Sequence, residues 1–184
     1  NYYILDGGLS SGIGQQRSMS AYTNVNYTLL DRYTIFGNLA LNGDSRFGKN
    51  YRYGIFPAMS GRWRISGEPW IKPWTEKWLN DFSLRASYGV TGIGPDADYL
   101  YFNRYSTYSY GYLGESTSYP SSLELKELRW ERSFQNNYGL NFVAFDYKLN
   151  VEFDYYIRTT KDQYSSRTYI PTSSGFSTMA LNFG

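Results

Sequence analysis

The chain has 184 residues and a net charge of +2, and it contains neither cysteine nor histidine. That composition excludes disulfides and thiolate metal sites, and it removes the commonest general base and metal ligand. Charges of both signs are scattered along the chain, so there is no footprint for nucleic acid, and no apolar run approaches the ~20 residues of a spanning helix.

A hydrophilic average does not speak against a membrane barrel, because barrel strands alternate between apolar and polar residues. The aromatic share is 20%, with 21 Tyr, 11 Phe and 5 Trp. Such a share suits the aromatic girdles of a barrel. It equally suits a tyrosine-rich extracellular β protein, and composition alone does not separate the two. The opening Asn1–Gly8 has neither the basic start nor the apolar segment of a signal peptide. The expectation is that a leader has been removed or that these residues come from inside a longer protein.

In chain order, the Gly- and Ser-rich residues 1–17 read as a loop. A first strand is predicted at 18–29, with Ala21, Thr23, Val25, Tyr27 and Leu29 on one face. Leu30-Asp31-Arg32 forms a tight turn into a second strand at 33–43, and 43–53 is a polar loop. A third strand, 54–66, sets Met59, Gly61, Trp63 and Ile65 against Ser60, Arg62 and Arg64. The connection at 67–80 spaces Trp70, Trp74 and Trp78 to stack on a short helix, although Pro73 argues against one. An interfacial segment and a hydrophobic cluster capping the sheet are both open readings.

The clearest alternation lies at 81–92, where Phe82, Leu84, Ala86, Tyr88 and Val90 oppose Ser83, Arg85, Ser87 and Gly89. The long irregular stretch 93–128 carries Tyr99, Tyr101, Tyr105, Tyr108, Tyr110, Tyr112 and Tyr119, and the near-alternation from Tyr105 to Tyr112 suggests a hairpin. Strands are predicted at about 129–145 and from Leu149 to Arg158, joined by a turn at 146–148. In the first of these, Trp130, Phe134, Tyr138, Leu140 and Phe142 share the apolar face. A loop at 159–177 leads into a seventh strand near the C-terminal end.

Short connections (30–32, 146–148) alternate with long ones (43–53, 93–128, 159–177), with 67–80 the intermediate exception. Such alternation is the habit of outer-membrane barrels and has no rationale in a sandwich. The polar faces hold Arg62, Arg64, Arg85, Glu131, Glu152, Asp154 and Arg158. A dry core would not tolerate that many charges, whereas a watery lumen does. The fold class is therefore all-β: antiparallel up-and-down strands forming part of a large transmembrane β-barrel. Gly43–Asn50 nearly spells a phosphate-binding loop, but Asn50 replaces the required Ser or Thr and a strand follows.

Several blocks resemble the SusC/RagA family of TonB-dependent outer-membrane transporters. They are Asp31-Arg32-Tyr33, Gly43-Asp44-Ser45-Arg46-Phe47-Gly48-Lys49-Asn50, Arg52-Tyr53-Gly54, Phe56-Pro57, Trp63-Arg64-Ile65-Ser66, Leu84 to Gly92, Leu128 to Glu131, Asp154-Tyr155-Tyr156, Lys161-Asp162 and Ser173 to Phe176. The chain departs from the pattern at Ile93-Gly94-Pro95-Asp96, where an Asn-Gln pair often follows the glycine. The resemblance implies six or seven consecutive strands of a barrel of about 22. The leader, plug, TonB-contacting segment and flanking strands are expected to lie outside residues 1–184. It also implies an outer membrane of a Gram-negative bacterium and import of an oligosaccharide or peptide.

Expected partners are outer-membrane lipid, a SusD-like surface lipoprotein, TonB through other regions, and further strands or another chain at both sheet edges. No cofactor, metal or catalytic residue is expected. Candidate substrate contacts are Arg62, Arg85 and Glu131 on the polar face and Tyr99, Tyr101, Tyr105 and Tyr108 in the long loop, although loop tyrosines also simply pack against one another or a lid. The alternative reading is an extracellular tyrosine-rich adhesin without transport. A carboxylate pair of Glu131 with Glu152 or Asp154 acting on glycosides is the enzymatic reading, ranked behind both.

Overall fold

The computed structural model describes residues 14–96, 98–108, 111–176 and 178–183; residues 1–13 of the loop predicted at 1–17, and Tyr110, lie outside them. Six strands form one antiparallel sheet: β1 (Ser18–Leu29), β2 (Tyr33–Asp44), β3 (Tyr53–Arg64), β4 (Leu79–Ile93), β7 (Glu131–Ala144) and β8 (Leu149–Lys161). The hairpin of β5 (Arg104–Tyr108) and β6 (Thr117–Ser122) is inserted between β4 and β7, and β9 (Gln163–Tyr169) pairs with β10 (Thr178–Phe183). All pairings are antiparallel.

The registers align the alternation from strand to strand. One row across the sheet runs Tyr27, Ile35, Gly61, Ala86, Tyr138, Tyr155. The next row toward the short turns runs Leu29, Tyr33, Trp63, Leu84, Leu140, Phe153. A one-residue slip would exchange the two faces of any strand, so this agreement over six strands is a strong constraint on register. Val25, Ile35, Met59, Val151 and Phe153 are 44–65% exposed. A monomer in water rarely leaves so continuous an apolar band uncovered; Asn136, opposite Tyr88 and Ile157, interrupts it.

The two ends of the sheet differ. At one end lie the β1–β2 turn, the β3–β4 connection and the β7–β8 turn. Leu30 and Asp31 take φ near +53°, and Phe145, Asp146 and Tyr147 do likewise at 53–64°. These left-handed turns cost L-residues on the order of 1 kcal/mol per position, and they keep the hairpins tight. At the other end stand the β2–β3 loop, the β4–β7 connection with its β5–β6 hairpin, and the β9–β10 hairpin; the β3–β4 connection, residues 65–78, is the exception among the otherwise tight links at the first end.

Three expectations are corrected. Residues 159–177 are only partly loop: β8 runs on to Lys161, Asp162 turns at φ 54°, and β9 continues the strand. The seventh strand, β10, pairs with β9 and not within the main sheet. The tryptophan segment makes one helical turn, α1 (Lys72–Thr75), with Pro73 near its start, so the three indoles do not stack. Trp78 packs near Phe142 and Phe145, whereas Trp70 and Trp74 are 63% and 84% exposed.

Candidate functional site

The polar face is a lattice of ion pairs. Asp81, at the start of β4, accepts hydrogen bonds from Arg62 (2.8 Å) and Arg64 (2.9 Å) on β3, and from Ser66 and Ser83 (both 3.3 Å). Arg62 sits directly opposite Arg85 in register. Like charges placed so are destabilising unless neutralised, and each arginine turns to a different carboxylate. Arg85 reaches Glu152 (2.6 Å) and Asp154 (3.2 Å) on β8, two strands away.

That reach depends on Gly139 of β7, which pairs with Arg85 on one side and Asp154 on the other. A Cβ at Gly139 would stand 2.6 Å from Asp154 Oδ1 and 2.9 Å from Arg85 Nε. The guanidinium therefore crosses the intervening strand through the space a side chain would fill. These groups are 37–57% exposed, so the crossing contributes roughly 0.2–1 kcal/mol. Gly139→Ala in the full-length protein is expected to lose about that much in denaturant unfolding, and to lose nothing further when Arg85 is already alanine. Additive losses would show that the crossing is not coupled to the glycine.

At the short-turn end one carboxylate gathers three elements. Glu68, 6% exposed, accepts from Arg32 Nη1 (2.8 Å), the Tyr33 hydroxyl (2.5 Å) and Trp63 Nε1 (3.1 Å). The hydrogen bonds from Tyr33 and Trp63, then the Arg32 charge, hold its pKa below the usual glutamate value. Gly67 leaves room for the Arg32 stem, since a Cβ there would lie 2.9 Å from Arg32 Cγ.

The long-loop end is closed by a hydrophobic cluster of Phe47, Leu100, Leu125 and Leu128, with Trp130 against it. Phe47 stacks on Trp130 at 4.4 Å, and Phe56 meets the same indole edge-on at 5.5 Å. Trp130 thus joins this cap and not the apolar face predicted for it. The loop resembling a phosphate cradle is a turn in which Asp44 receives the Arg46 backbone N–H (2.9 Å) and guanidinium (2.8 Å). Asn182 of β10 accepts from the Arg129 backbone N–H (3.2 Å) and donates to the Asp162 carbonyl (2.7 Å), tying β10 to the sheet.

The proposed substrate contacts are spread along this wall. Arg62 and Arg85 lie side by side on the polar face, lining a shallow pocket of about 270 Å³ with Ser60, Ser87, Asn137 and Asp154. Glu131 is at the outer end of β7, accepting from the Tyr164 N–H (3.2 Å). The Tyr99 hydroxyl accepts from the Gln15 N–H (3.2 Å), and the Tyr101 ring lies tilted against Phe102 at 4.2 Å. Tyr108 stacks at 4.2 Å on Tyr119. Tyr105 pairs with Pro120 in the alternate register position, which puts it on the opposite face of the hairpin from Tyr108. These seven residues do not converge on one pocket. Sequence reasoning missed Glu68 and Gly139, neither of which sits in a recognisable motif.

No family model matches the chain. It is 35% identical over 167 residues to TonB-dependent receptor P39 of Formosa agariphila, covering 90% of this chain and 16% of that protein. It is 34% identical over 174 residues to TonB-dependent receptor SusC of Bacteroides thetaiotaomicron, covering 90% of this chain and 17% of that one. Among solved structures, it superposes on the RagAB peptide importer in its open-open state with TM-score 0.81 and 27% identity, over 97% of this chain and 20% of the matched one. In the closed-closed state the values are 0.78 and 29%, over 90% and 18%. The chain therefore spans about a sixth to a fifth of the length of these relatives. By sequence, strand order and two-faced sheet, it is a SusC/RagA-like stretch of a TonB-dependent transporter β-barrel.

Proposed function

We propose that residues 1–184 are one stretch of barrel wall in an outer-membrane importer driven through TonB, with the plug and the remaining strands supplied by other parts of the same protein. The observation that carries this reading is the six-strand sheet with an apolar outer face and an ion-paired polar face, its tight β1–β2 and β7–β8 turns at one end and its inserted hairpins at the other. In a barrel the apolar face meets lipid, the polar face lines the lumen, and the long connections project from the cell. Both lateral edges, β1 and β8, need partners in a hydrocarbon environment. The cargo is an oligosaccharide or peptide too large for porins, handed over by a SusD-like lipoprotein on the long-loop side.

Within this reading Arg62, Arg85 and Glu131 meet cargo from the wall, and Tyr99, Tyr101, Tyr105 and Tyr108 meet it or the lipoprotein from the outer loops. Tyr105 is 67% exposed, and so presents a flat ring with a hydroxyl at its rim. Tyr105→Ala in the full-length importer is expected to weaken cargo or lipoprotein binding about 5- to 30-fold, corresponding to about 1–2 kcal/mol. Unchanged uptake and affinity would remove this tyrosine from the site. Uptake that persists without TonB would overturn the importer reading itself.

A further inference from the structure

Among the described residues, the apolar face carries a furrow. Gly61 of β3 lies between Ile35 and Ala86 in its row, and Tyr138 stands beyond Ala86. One row farther from the short turns, Gly37 of β2 faces Met59, outside the lining of this furrow. Its volume is about 530 Å³, with Tyr33, Ile35, Trp63, Leu84 and Tyr138 as walls. A Cβ at either Gly37 or Gly61 would meet nothing within 4 Å. Packing within the chain therefore does not demand these glycines, and neither takes a left-handed backbone. Glycine in a strand interior weakens the strand, and it marks places where a ligand or another backbone approaches closely.

We propose that this furrow seats one acyl chain of a phospholipid from the leaflet on the short-turn side. The inference rests on the reading of the apolar face as lipid-facing. The width fits: Gly61 and Ala86 stand side by side on strands about 4.8 Å apart, between the larger Ile35 and Tyr138, and the gap they leave is close to the girth of a polymethylene chain. The orientation fits as well. Its Tyr33–Trp63 end faces the short turns, where exposed Trp70, Trp74 and Tyr147 mark headgroup level. Gly61 is three residues from the end of β3, roughly 10 Å along the strand from the short-turn end. Lys72, Lys77 and Lys148 lie in the short-turn segments and offer ammonium groups to a phosphate.

The test uses the full-length transporter, exchanged in mild detergent with dioleoyl phosphatidylethanolamine and weighed by native mass spectrometry. Gly61→Leu fills the furrow, and Ala86→Leu fills it from the neighbouring strand should the first variant fail to fold. Heat-modifiability on a gel verifies the folded barrel in each. The wild type is expected to retain one phospholipid more than either folded variant. Equal retention in all three would overturn the seat, and so would a variant that loses dimers with no change in bound phospholipid, since the furrow would then be a protein contact. A wild-type protein that stays monodisperse without detergent and binds no phospholipid would instead overturn the lipid-facing reading beneath it.

Discussion

Phe47→Ala is expected to destabilise the outer cap by about 3–5 kcal/mol, the usual cost of deleting a fully buried phenylalanine. Phe47 is completely shielded from solvent, and its ring stacks on Trp130 between Leu100, Leu125 and Leu128. Those contacts link the β2–β3 loop to the long β4–β7 connection. The six-strand ladder does not use Phe47, so its amides are expected to keep their protection. Amide exchange in the full-length protein checks this: faster exchange at residues 100 and 125–128, with β4 and β7 unchanged, is the predicted pattern. Faster exchange throughout the sheet would show that cap and wall form one cooperative unit.

The second large effect is expected at Glu68. Glu68→Ala leaves Arg32, Tyr33 and Trp63 without their shared acceptor, and a half-buried guanidinium without its counter-charge is the costliest of the three. Glu68→Gln keeps an acceptor for Tyr33 and Trp63 but turns an amide toward Arg32, so it is expected to fall between wild type and alanine. The pH dependence has a definite sign. The folded pKa of Glu68 lies below its ordinary value, so the stabilisation is complete above the unfolded glutamate pKa of about 4.3 and is lost as pH falls through the folded value. The gap in unfolding temperature between wild type and Glu68→Gln should close on acidification through that range. A gap that stays constant to the lowest accessible pH would show that the ionised carboxylate is not what holds the short-turn end.

Much of the wall was legible in the sequence because a strand writes its two faces at a period of two. Residues 81–92 alternate clearly, and 18–29 and 149–158 do so apart from Tyr22, Thr23 and Tyr156; their strands are Leu79–Ile93, Ser18–Leu29 and Leu149–Lys161. The hairpin hinted at by Tyr105 to Tyr112 exists, with β6 returning later than the alternation implied. β9 was not legible: its Ser165-Ser166-Arg167 centre is as polar as a loop, and β10 supplies the pairing that orders it. Trp130 alternates with Phe134, yet aromatic packing from Phe47 and Phe56 draws it into the cap. Glu68 sits in a Gly-Glu-Pro loop that reads as solvated, and its partners are 5 to 36 residues away. Gly139 looks like any strand glycine until the arginine that crosses it is seen. In both cases the signal is spatial, created by register and closure.

The central claim is that the two faces of β4 meet different solvents, and spin labels on single cysteines test it most directly. The chain has no native cysteine, so a label can be walked along 84–89 in the full-length protein reconstituted in bilayers. The account predicts that labels at Leu84, Ala86 and Tyr88 collide with oxygen dissolved in the acyl region, while labels at Arg85, Ser87 and Gly89 collide with a water-soluble nickel chelate. Labels at Leu84, Ala86 and Tyr88 shielded from both reagents would mean that a second layer of protein covers this face, and the barrel account would be wrong.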